Sequence, residues 1–246
     1  MSAPTPEFLR RTDGSSEIAA RIETPRLVIR SIVEDDFSHV FKLQSDPAVM
    51  AFVGAGGVRD EGRVRRMFDF YRRYWMEGNP ISAYTIFEKT EGGDEKFCGM
   101  AALEEISDYS TGTKVVEPGR AEVMIYFMPE FWRKGMASEV AQGFIALLGK
   151  LHKSGVPLQV AGEPVTKLIA SASPGNAASI ALQERLGFRF VEERDQFYNG
   201  GATKVPKKLF EMDLIEKFKE LAATTGHVSA ASAGAVVGAE KSSPSL

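Results

Sequence analysis

A basic loop in front of a helix is the segment of the sequence best suited to binding a charged ligand. A β-like run stops at Pro129, and apolar residues at helical spacing begin after Gly135. The first backbone amides of a helix have no internal partner and lie at the positive end of its dipole, so they attract anions such as a pyrophosphate. Gly135 lets the backbone approach a ligand closely, and Ala137 is small where bulk would block it. Because Arg133 and Lys134 add positive charge, the loop predicts a phosphate site, with an ordinary turn as the competing interpretation.

The elements around this loop alternate between strand-like and helix-like segments, an order that predicts a layered α/β or α+β domain. Within one strand-like run, Glu122 and Tyr126 alternate with Val123 and Phe127, so the two pairs face opposite sides of a sheet. The β-rich runs lie at residues 26–30, 83–88, 97–104, 120–128, 167–171, 188–191 and 209–213. Helical spacing occurs at residues 33–53, where Pro47 should divide it, and at 59–77, 135–153, 176–186 and 215–221.

A second segment, residues 176–188 (NAASIALQERLGF), follows a buried-strand candidate downstream of the loop. Together with residues 132–139 (WRKGMASE), it resembles the GNAT superfamily of acyl-CoA-dependent N-acyltransferases, in particular its RimJ/RimL-like branch. Residues 24–30 (TPRLVIR) are similar to the opening strand of that branch, and residues 121–126 (AEVMIY) to its A-E-I-G-Y strand. The resemblance covers roughly residues 22–214, with the four motifs in the family's order.

The resemblance implies a mixed, mostly antiparallel central sheet of about seven strands, with helices on both faces. It also implies a cleft where the strand ending at Met128 splays from the strand around Leu168, and acetyl-CoA as the co-substrate that enters it. Core packing is the competing interpretation for Tyr126 and Phe127, and helix N-capping is the competing one for Asn176. The implied cofactor-binding residues are Tyr126, Phe127 and Met128 for the pantetheine amides, Arg133, Lys134, Gly135, Met136 and Ala137 for the pyrophosphate, and Asn176 and Ser179 beside the arm.

Glu122 is the predicted catalytic base. Acyl transfer to an amine needs a neutral nucleophile, so a group must take a proton, directly or through a water. A mid-strand carboxylate that faces the cleft would be partly desolvated, which raises its pKa; the alternative is that Glu122 faces solvent or pairs with an arginine. Many members of the family carry a tyrosine that protonates the leaving thiolate, but Gln183 occupies the matching position here. The general acid is therefore unassigned: Ser173, Ser179 and Tyr198 are candidates, and the alternative is that the thiolate leaves with help from amides and solvent.

Length and composition favour one soluble globular domain with tails. The chain has 246 residues, of which 43% are hydrophobic and 26% are charged. We expect residues 21–222 to form the acetyltransferase domain. Residues 1–20 and 223–246 are rich in small and polar side chains, so we expect them to be disordered.

Charge and cysteine content exclude several other classes. A net charge of -3 gives no reason to expect nucleic-acid or membrane binding. One cysteine and three histidines make a metal site of several ligands unexpected. The sequence begins with no apolar signal segment, and together with the single cysteine this predicts a cytoplasmic protein.

The predicted function is transfer of an acetyl group from acetyl-CoA to a primary amine by direct attack in a ternary complex. The resemblance implies a protein N-terminus, an amino acid or a small amine as acceptor, and a monomer or homodimer as the working form. One alternative is an acyl-CoA-binding sensor or inactive homologue, for which the glutamine at position 183 leaves room. A phosphate- or nucleotide-binding domain is a third alternative, although the sequence lacks both the P-loop and the dinucleotide glycine motifs.

Overall fold

The computed structural model describes residues 4–8, 19–108, 115–155, 158–198 and 201–223. Strands and helices within these ranges follow the predicted order closely. The strands are β1 (Thr5–Phe8), β2 (Ala20–Glu23), β3 (Leu27–Ser31), β4 (Ala83–Lys89), β5 (Glu95–Asp108), β6 (Val115–Phe127), β7 (Gln159–Val160), β8 (Glu163–Pro164), β9 (Lys167–Ala172), β10 (Arg189–Tyr198) and β11 (Thr203–Asp213).

Three of the helices in the described residues begin at a side-chain cap that the sequence supplies. Asp46, Asp60 and Asn176 each accept a hydrogen bond from a first-turn amide of the helix that follows. Pro47 is the first residue of such a helix, so it divides the predicted helical stretch 33–53 as expected. The helices are α1 (Phe37–Gln44), α2 (Pro47–Met50), α3 (Glu61–Met76), α4 (Met136–Lys153), α5 (Ala177–Leu186) and α6 (residues 214–223).

Nine strands form one sheet in the order β1-β2-β3-β4-β5-β6-β9-β11-β10, and β7 pairs separately with β8. Every neighbouring pair in the large sheet is antiparallel except β6 and β9, which run parallel. Parallel strands need a crossover, and α4 supplies it. The sheet is therefore mixed and mostly antiparallel, which confirms the predicted fold class.

Helices pack on both faces of this sheet. Ile29 lies on one face, where it packs beside Gly143 of α4. Arg30 faces the other side and forms an ion pair of 2.7 Å with Asp36, just before α1. Since successive residues of a strand point to opposite faces, these two contacts place α1 and α4 in different layers.

The edge of the sheet departs from the sequence prediction. Thr5–Phe8 pairs with β2, and the Lys150 Nζ donates to the Pro6 carbonyl at 2.7 Å, although residues 1–20 were expected to be disordered. The prediction rested on apolar burial, whereas this strand is held by backbone hydrogen bonds. β1 and β2 also explain why the sheet has nine strands within the described residues rather than about seven. Residues 1–3, 9–18 and 224–246 lie outside the described ranges, and their disorder stays a prediction.

Candidate active site

The sheet opens between β6 and β9, its only parallel neighbours. The two strands pair at Arg120 with Lys167, Ala121 with Leu168, and Glu122 with Ile169, and pairing stops there. β6 nevertheless continues to Phe127 and β9 to Ala172. A cavity of about 1000 Å³ lies against both diverging strands, with residues 122–127 and 170–172 in its wall.

Alternation along β6 decides which backbone groups face this opening. The Met128 amide donates to the Cys98 carbonyl on β5 at 2.9 Å, and the Met128 carbonyl accepts from the Phe131 amide at 2.9 Å. Both backbone groups of Met128 therefore already have a partner within the protein, which makes its neighbours on β6 better placed than Met128 to pair with a ligand. In an antiparallel ladder alternate residues turn their amides and carbonyls to the same neighbour. Tyr126 therefore turns to β5, and Ile125 and Phe127 turn their amides toward the opening.

The side chains of the same segment also take fixed positions. The indole Nε1 of Trp132 donates to the Phe127 carbonyl at 2.7 Å, which leaves the Phe127 amide facing the cavity. Tyr126 lines the cavity, and its hydroxyl lies 2.8 Å from the Met124 sulfur. Phe127 is buried in the core, so the core-packing interpretation holds for its ring.

The first turn of α4 faces the other end of the cavity. Gly135 is the N-cap residue with a φ of 73°, and no side chain caps this helix. Lys134, Gly135, Met136 and Ala137 all line the cavity. Arg133 lines it as well, with a φ of 60° that is uncommon for a residue other than glycine. The predicted loop is thus a helix start with uncapped amides on a cavity wall.

An ion pair fixes this helix start against the sheet. Arg26, in the turn before β3, donates from Nη1 to the Lys134 carbonyl at 2.8 Å. Its Nη2 lies 2.8 Å from the Glu139 carboxylate, which also accepts from the Arg26 amide and the Thr24 hydroxyl. Glu139 therefore ties the first turn of α4 to the β2–β3 turn.

The start of α5 forms a third part of the wall. Asn176 Oδ1 accepts from the Ser179 amide at 3.1 Å, so Asn176 is the helix N-cap, and both residues line the cavity. Gln183 is 5% exposed, and its Nε2 donates to the Ser179 hydroxyl at 3.2 Å and to the Ser171 carbonyl at 3.4 Å. A carbonyl only accepts, so it fixes which end of the amide faces it. Gln183 Oε1 is left buried with no hydrogen-bond partner among the described residues.

Glu122 lies where the two strands part. The Ser171 hydroxyl donates to its carboxylate from the opposite strand. Burial raises the pKa of Glu122, while the hydrogen bond from Ser171 and the nearby Lys207 charge oppose that rise. Glu104 stands directly across the ladder on β5 and also lines the cavity. Glu122 is therefore a partly buried carboxylate on the cavity wall, and it pairs with no arginine within 4 Å in the described residues.

The candidate acids have different surroundings. The Tyr198 hydroxyl donates to Gln196 at 2.7 Å, and burial raises the pKa of Tyr198. Ser173 accepts from Lys207, and Ser179 accepts from Gln183. Both serines thus keep their own hydroxyl proton, and Ser179 lies in the cavity wall.

Sequence reasoning missed two charged residues of this cavity. Glu104 could have been predicted from the sequence, because it lies in a β-rich run that pairs with the strand of Glu122. Lys207 could not, since it is one lysine in a lysine-rich strand and only the folded sheet turns it inward.

Comparison with known proteins agrees with this geometry. A family model described as an acetyltransferase (GNAT) domain matches residues 26–189. An acetyltransferase of the GNAT family from Bacillus anthracis has a TM-score of 0.57 and 19% identity, covering 79% of this chain and 98% of its own. RimL, a ribosomal L7/L12 α-N-protein acetyltransferase solved with coenzyme A, has a TM-score of 0.56 and 16% identity, covering 77% and 95%.

A Salmonella typhimurium acetyltransferase that modifies the N-terminal serine of ribosomal protein L7/L12 has a TM-score of 0.55 and 13% identity, covering 77% and 96%. A search of curated proteins with this sequence finds no significant match. Among the described residues, no helix has the length and apolarity needed to cross a bilayer. The family model spans well over half of the chain, and the chain accordingly belongs to the GNAT acetyltransferase family.

Proposed function

We propose that this protein is an acetyl-CoA-dependent N-acetyltransferase that acts on a primary amine by direct attack in a ternary complex. The observation that carries the proposal is the single cavity that joins an uncapped helix start to a partly buried carboxylate through the gap between β6 and β9. A diphosphate suits one end of this cavity, and an amine suits the other. Family membership supports acetyl transfer as the chemistry.

The residues of the cavity fit the parts of coenzyme A. The amides at the start of α4, with Arg133 and Lys134 beside them, suit the pyrophosphate. The amides of Phe127 and Ile125 face the gap as the free edge of a strand, which suits an extended arm with its own amides. The unpartnered Gln183 Oε1 needs a donor, and an N–H of the pantetheine arm would supply it. RimL, which shares this fold, has been solved with coenzyme A.

The thioester of acetyl-CoA supplies an activated acetyl group, so a C–N bond forms as the C–S bond breaks. Glu122 takes the proton that the amine must lose, because burial raises its pKa and so makes the carboxylate a stronger base. The Ser171 hydroxyl orients the carboxylate toward the cavity. The sulfur takes up a proton as it leaves, and we assign the Ser179 hydroxyl in the cavity wall to relay it: Ser179 donates its proton to the sulfur while it accepts one from solvent.

Gln183 does not replace the tyrosine of other family members as a proton donor. Both of its N–H groups are directed at Ser179 and Ser171, so only its oxygen is free. A side chain with a free acceptor binds a ligand N–H but gives no proton to a thiolate. The chemistry therefore rests on Glu122 and on a hydroxyl.

Free-thiol release from acetyl-CoA, measured with a panel of primary amines, tests the proposal directly. We expect release that depends on the amine, with a matching mass increase of one acetyl group on the acceptor. Calorimetry with coenzyme A is the parallel measurement. Tight binding without thiol release for any amine would favour the sensor, and competition by ATP but not by coenzyme A would favour a nucleotide-binding domain.

A further inference from the structure

One lysine points into the acceptor end of the cavity without a carboxylate to pair with. Lys207 lies on β11, is 3% exposed and lines the same cavity as Glu122. Its Nζ donates to the Ser173 hydroxyl at 2.8 Å and lies 3.4 Å from the Phe52 carbonyl. Both partners are uncharged. The ammonium is thus held in place by dipoles, and no opposite charge touches it within the described ranges.

Other inward-facing cations of the sheet are paired. Arg30 contacts Asp36 at 2.7 Å, and Arg120 contacts Glu211 at 2.6 Å. In the described part of the chain, no carboxylate oxygen lies within 4 Å of Lys207, and Glu122 influences it only from farther away. Burial of a charge without a partner is costly, and buried charges in proteins are normally paired or bind a ligand of opposite charge. Lys207 therefore faces the cavity without a counter-ion in the described residues, and an anionic ligand in the cavity would supply one.

Two serines that are two residues apart in the sequence bind the Glu122 carboxylate and the Lys207 ammonium. Ser171, on β9, binds the Glu122 carboxylate, and Ser173, just past the end of β9, binds the Lys207 ammonium. Side chains two residues apart on an extended strand share a face and lie about 7 Å apart. The two serines therefore hold a base and a cation on the same wall of the cavity, where a group that has both an amine and an anion can contact the two of them.

We propose that Lys207 is the carboxylate-binding residue of the acceptor site, and that the acceptor is an amine with a carboxylate close to its nitrogen, such as a free amino acid. This inference rests on the proposed function. The amine would face Glu122, and the carboxylate would form an ion pair with Lys207. Phe52, Phe70 and Tyr74 line the same cavity, which suits an apolar or aromatic side chain on that acceptor.

The test compares L-phenylalanine with L-phenylalaninamide, which share the side chain; the amide lacks the carboxylate charge and has a less basic amine. For the native protein we expect kcat/KM to be at least about tenfold higher for the acid, as for loss of one charge-assisted contact. In Lys207→Met this ratio should fall by about tenfold or more through loss of activity on the acid alone. Lys208→Met is the matched control: the neighbouring residue on β11 faces the opposite side of the sheet, so the ratio should stay unchanged.

A binding measurement separates failure of this inference from failure of the proposed function. Calorimetry of L-phenylalanine and its amide, each added to the protein saturated with coenzyme A, reports the subsite without turnover. Preference for the acid that disappears in Lys207→Met supports the inference even if no thiol is ever released. Equal affinity and equal turnover for acid and amide in the native protein, or a preference that survives Lys207→Met, would overturn it while leaving acetyl transfer intact.

Folding of Lys207→Met is expected to be intact. Methionine has similar length, and removing a buried charge relieves its desolvation cost. Unchanged coenzyme A affinity, measured on the same preparation, confirms that the cofactor end is undisturbed. A variant that loses coenzyme A binding is replaced by Lys207→Arg, which keeps the charge and should retain a preference for the acid.

Discussion

The two ends of the cavity carry charge in different ways. At the start of α4 the ligand-facing groups are mainly backbone amides, fixed by the helix and by the contacts of Arg26. At the other end they are the side chains of Glu122 and Lys207, both removed from water and both with displaced pKa values. Backbone dipoles neither titrate nor depend on side-chain identity. The cofactor end should therefore be insensitive to pH, and the acceptor end should control both pH dependence and specificity.

Burial sets the direction in which the pKa values of Glu122 and Lys207 are shifted. Desolvation favours the neutral form of each group, so it raises the pKa of Glu122 and lowers the pKa of Lys207. Each group moderates the displacement of the other, because their charges are opposite. An anionic ligand beside Lys207 would hold the lysine charged. Ligand binding at the acceptor end is thus coupled to protonation. Binding to the backbone amides of α4 is not, because these amides do not titrate.

Removing the base should have the largest effect. In Glu122→Gln we expect kcat to fall by about 10²–10⁴-fold at neutral pH, the usual contribution of a positioned base. The dissociation constant of coenzyme A should stay the same, because the other end of the cavity is untouched. Thiol release and calorimetry on one preparation measure both. A fall in coenzyme A affinity of similar size would show that the two ends are not separable.

At the cofactor end, Gly135→Glu should weaken coenzyme A binding by about 10–100-fold. Glutamate at a φ of 73° costs about 1–2 kcal/mol of backbone strain, and its charge repels a diphosphate at the helix start. Gly155→Glu is the matched control, since Gly155 has a φ of 69° after the opposite end of the same helix. It carries the same strain and charge, yet it should leave the coenzyme A affinity unchanged.

Gly135→Ala separates strain from charge. It keeps most of the backbone cost but adds no anion, so we expect a loss of affinity smaller than that of the glutamate. Unchanged coenzyme A affinity in folded Gly135→Glu would contradict the assignment of the phosphate site.

A smaller effect should follow from loss of the free acceptor on α5. Gln183→Met removes the unpartnered oxygen and keeps the volume, so we expect KM for acetyl-CoA to rise by about 2–12-fold, which corresponds to one hydrogen bond of about 0.5–1.5 kcal/mol. KM for the amine should not change. Gln159→Met, at an exposed position of β7, is the control. A change in KM for the amine alone would mean that Gln183 contacts the acceptor and not coenzyme A.

The same contrast explains what the sequence could predict. The phosphate end is local: Pro129, the basic pair and Gly135 lie within seven consecutive residues, and their pattern is enough to indicate a helix start that binds anions. The acceptor end is assembled across the sheet. Ser171 is 49 residues from Glu122, and Ser173 is 34 residues from Lys207. Glu122 was predicted through the family resemblance, and no spacing in the sequence indicates Lys207.

Register explains why Met128 differs from its neighbours. The prediction treated Tyr126, Phe127 and Met128 as equivalent backbone partners of a ligand. In the sheet they alternate, and the amide that Met128 gives to Cys98 settles which of them face the gap. Shifting the pairing by one residue would reverse the assignment, and register depends on contacts that a single strand does not encode.

The smallest predicted effect concerns stability, and its sign is set by the raised pKa of Glu122. A carboxyl whose pKa is raised by folding stabilises the protein fully below its unfolded value of 4.5, and this stabilisation is lost as pH rises through the folded value. As pH rises toward 8, ionisation of the buried carboxyl becomes increasingly unfavourable in the native protein, and Glu122→Gln lacks that cost, so the Tm of the variant should be higher by about 2–4 °C for each kcal/mol relieved.

Near pH 4 the native carboxyl is protonated, and the difference in Tm between the native protein and Glu122→Gln should nearly vanish. Glu193→Gln, at an exposed position of β10, should show little difference at either pH. Thermal unfolding of all three proteins at both pH values measures this. A Tm difference for Glu122→Gln that is the same at pH 4 and pH 8 would mean that ionisation of Glu122 is not coupled to folding. The acceptor end would then resemble the cofactor end in its response to pH, and the two ends would differ only in their control of substrate specificity.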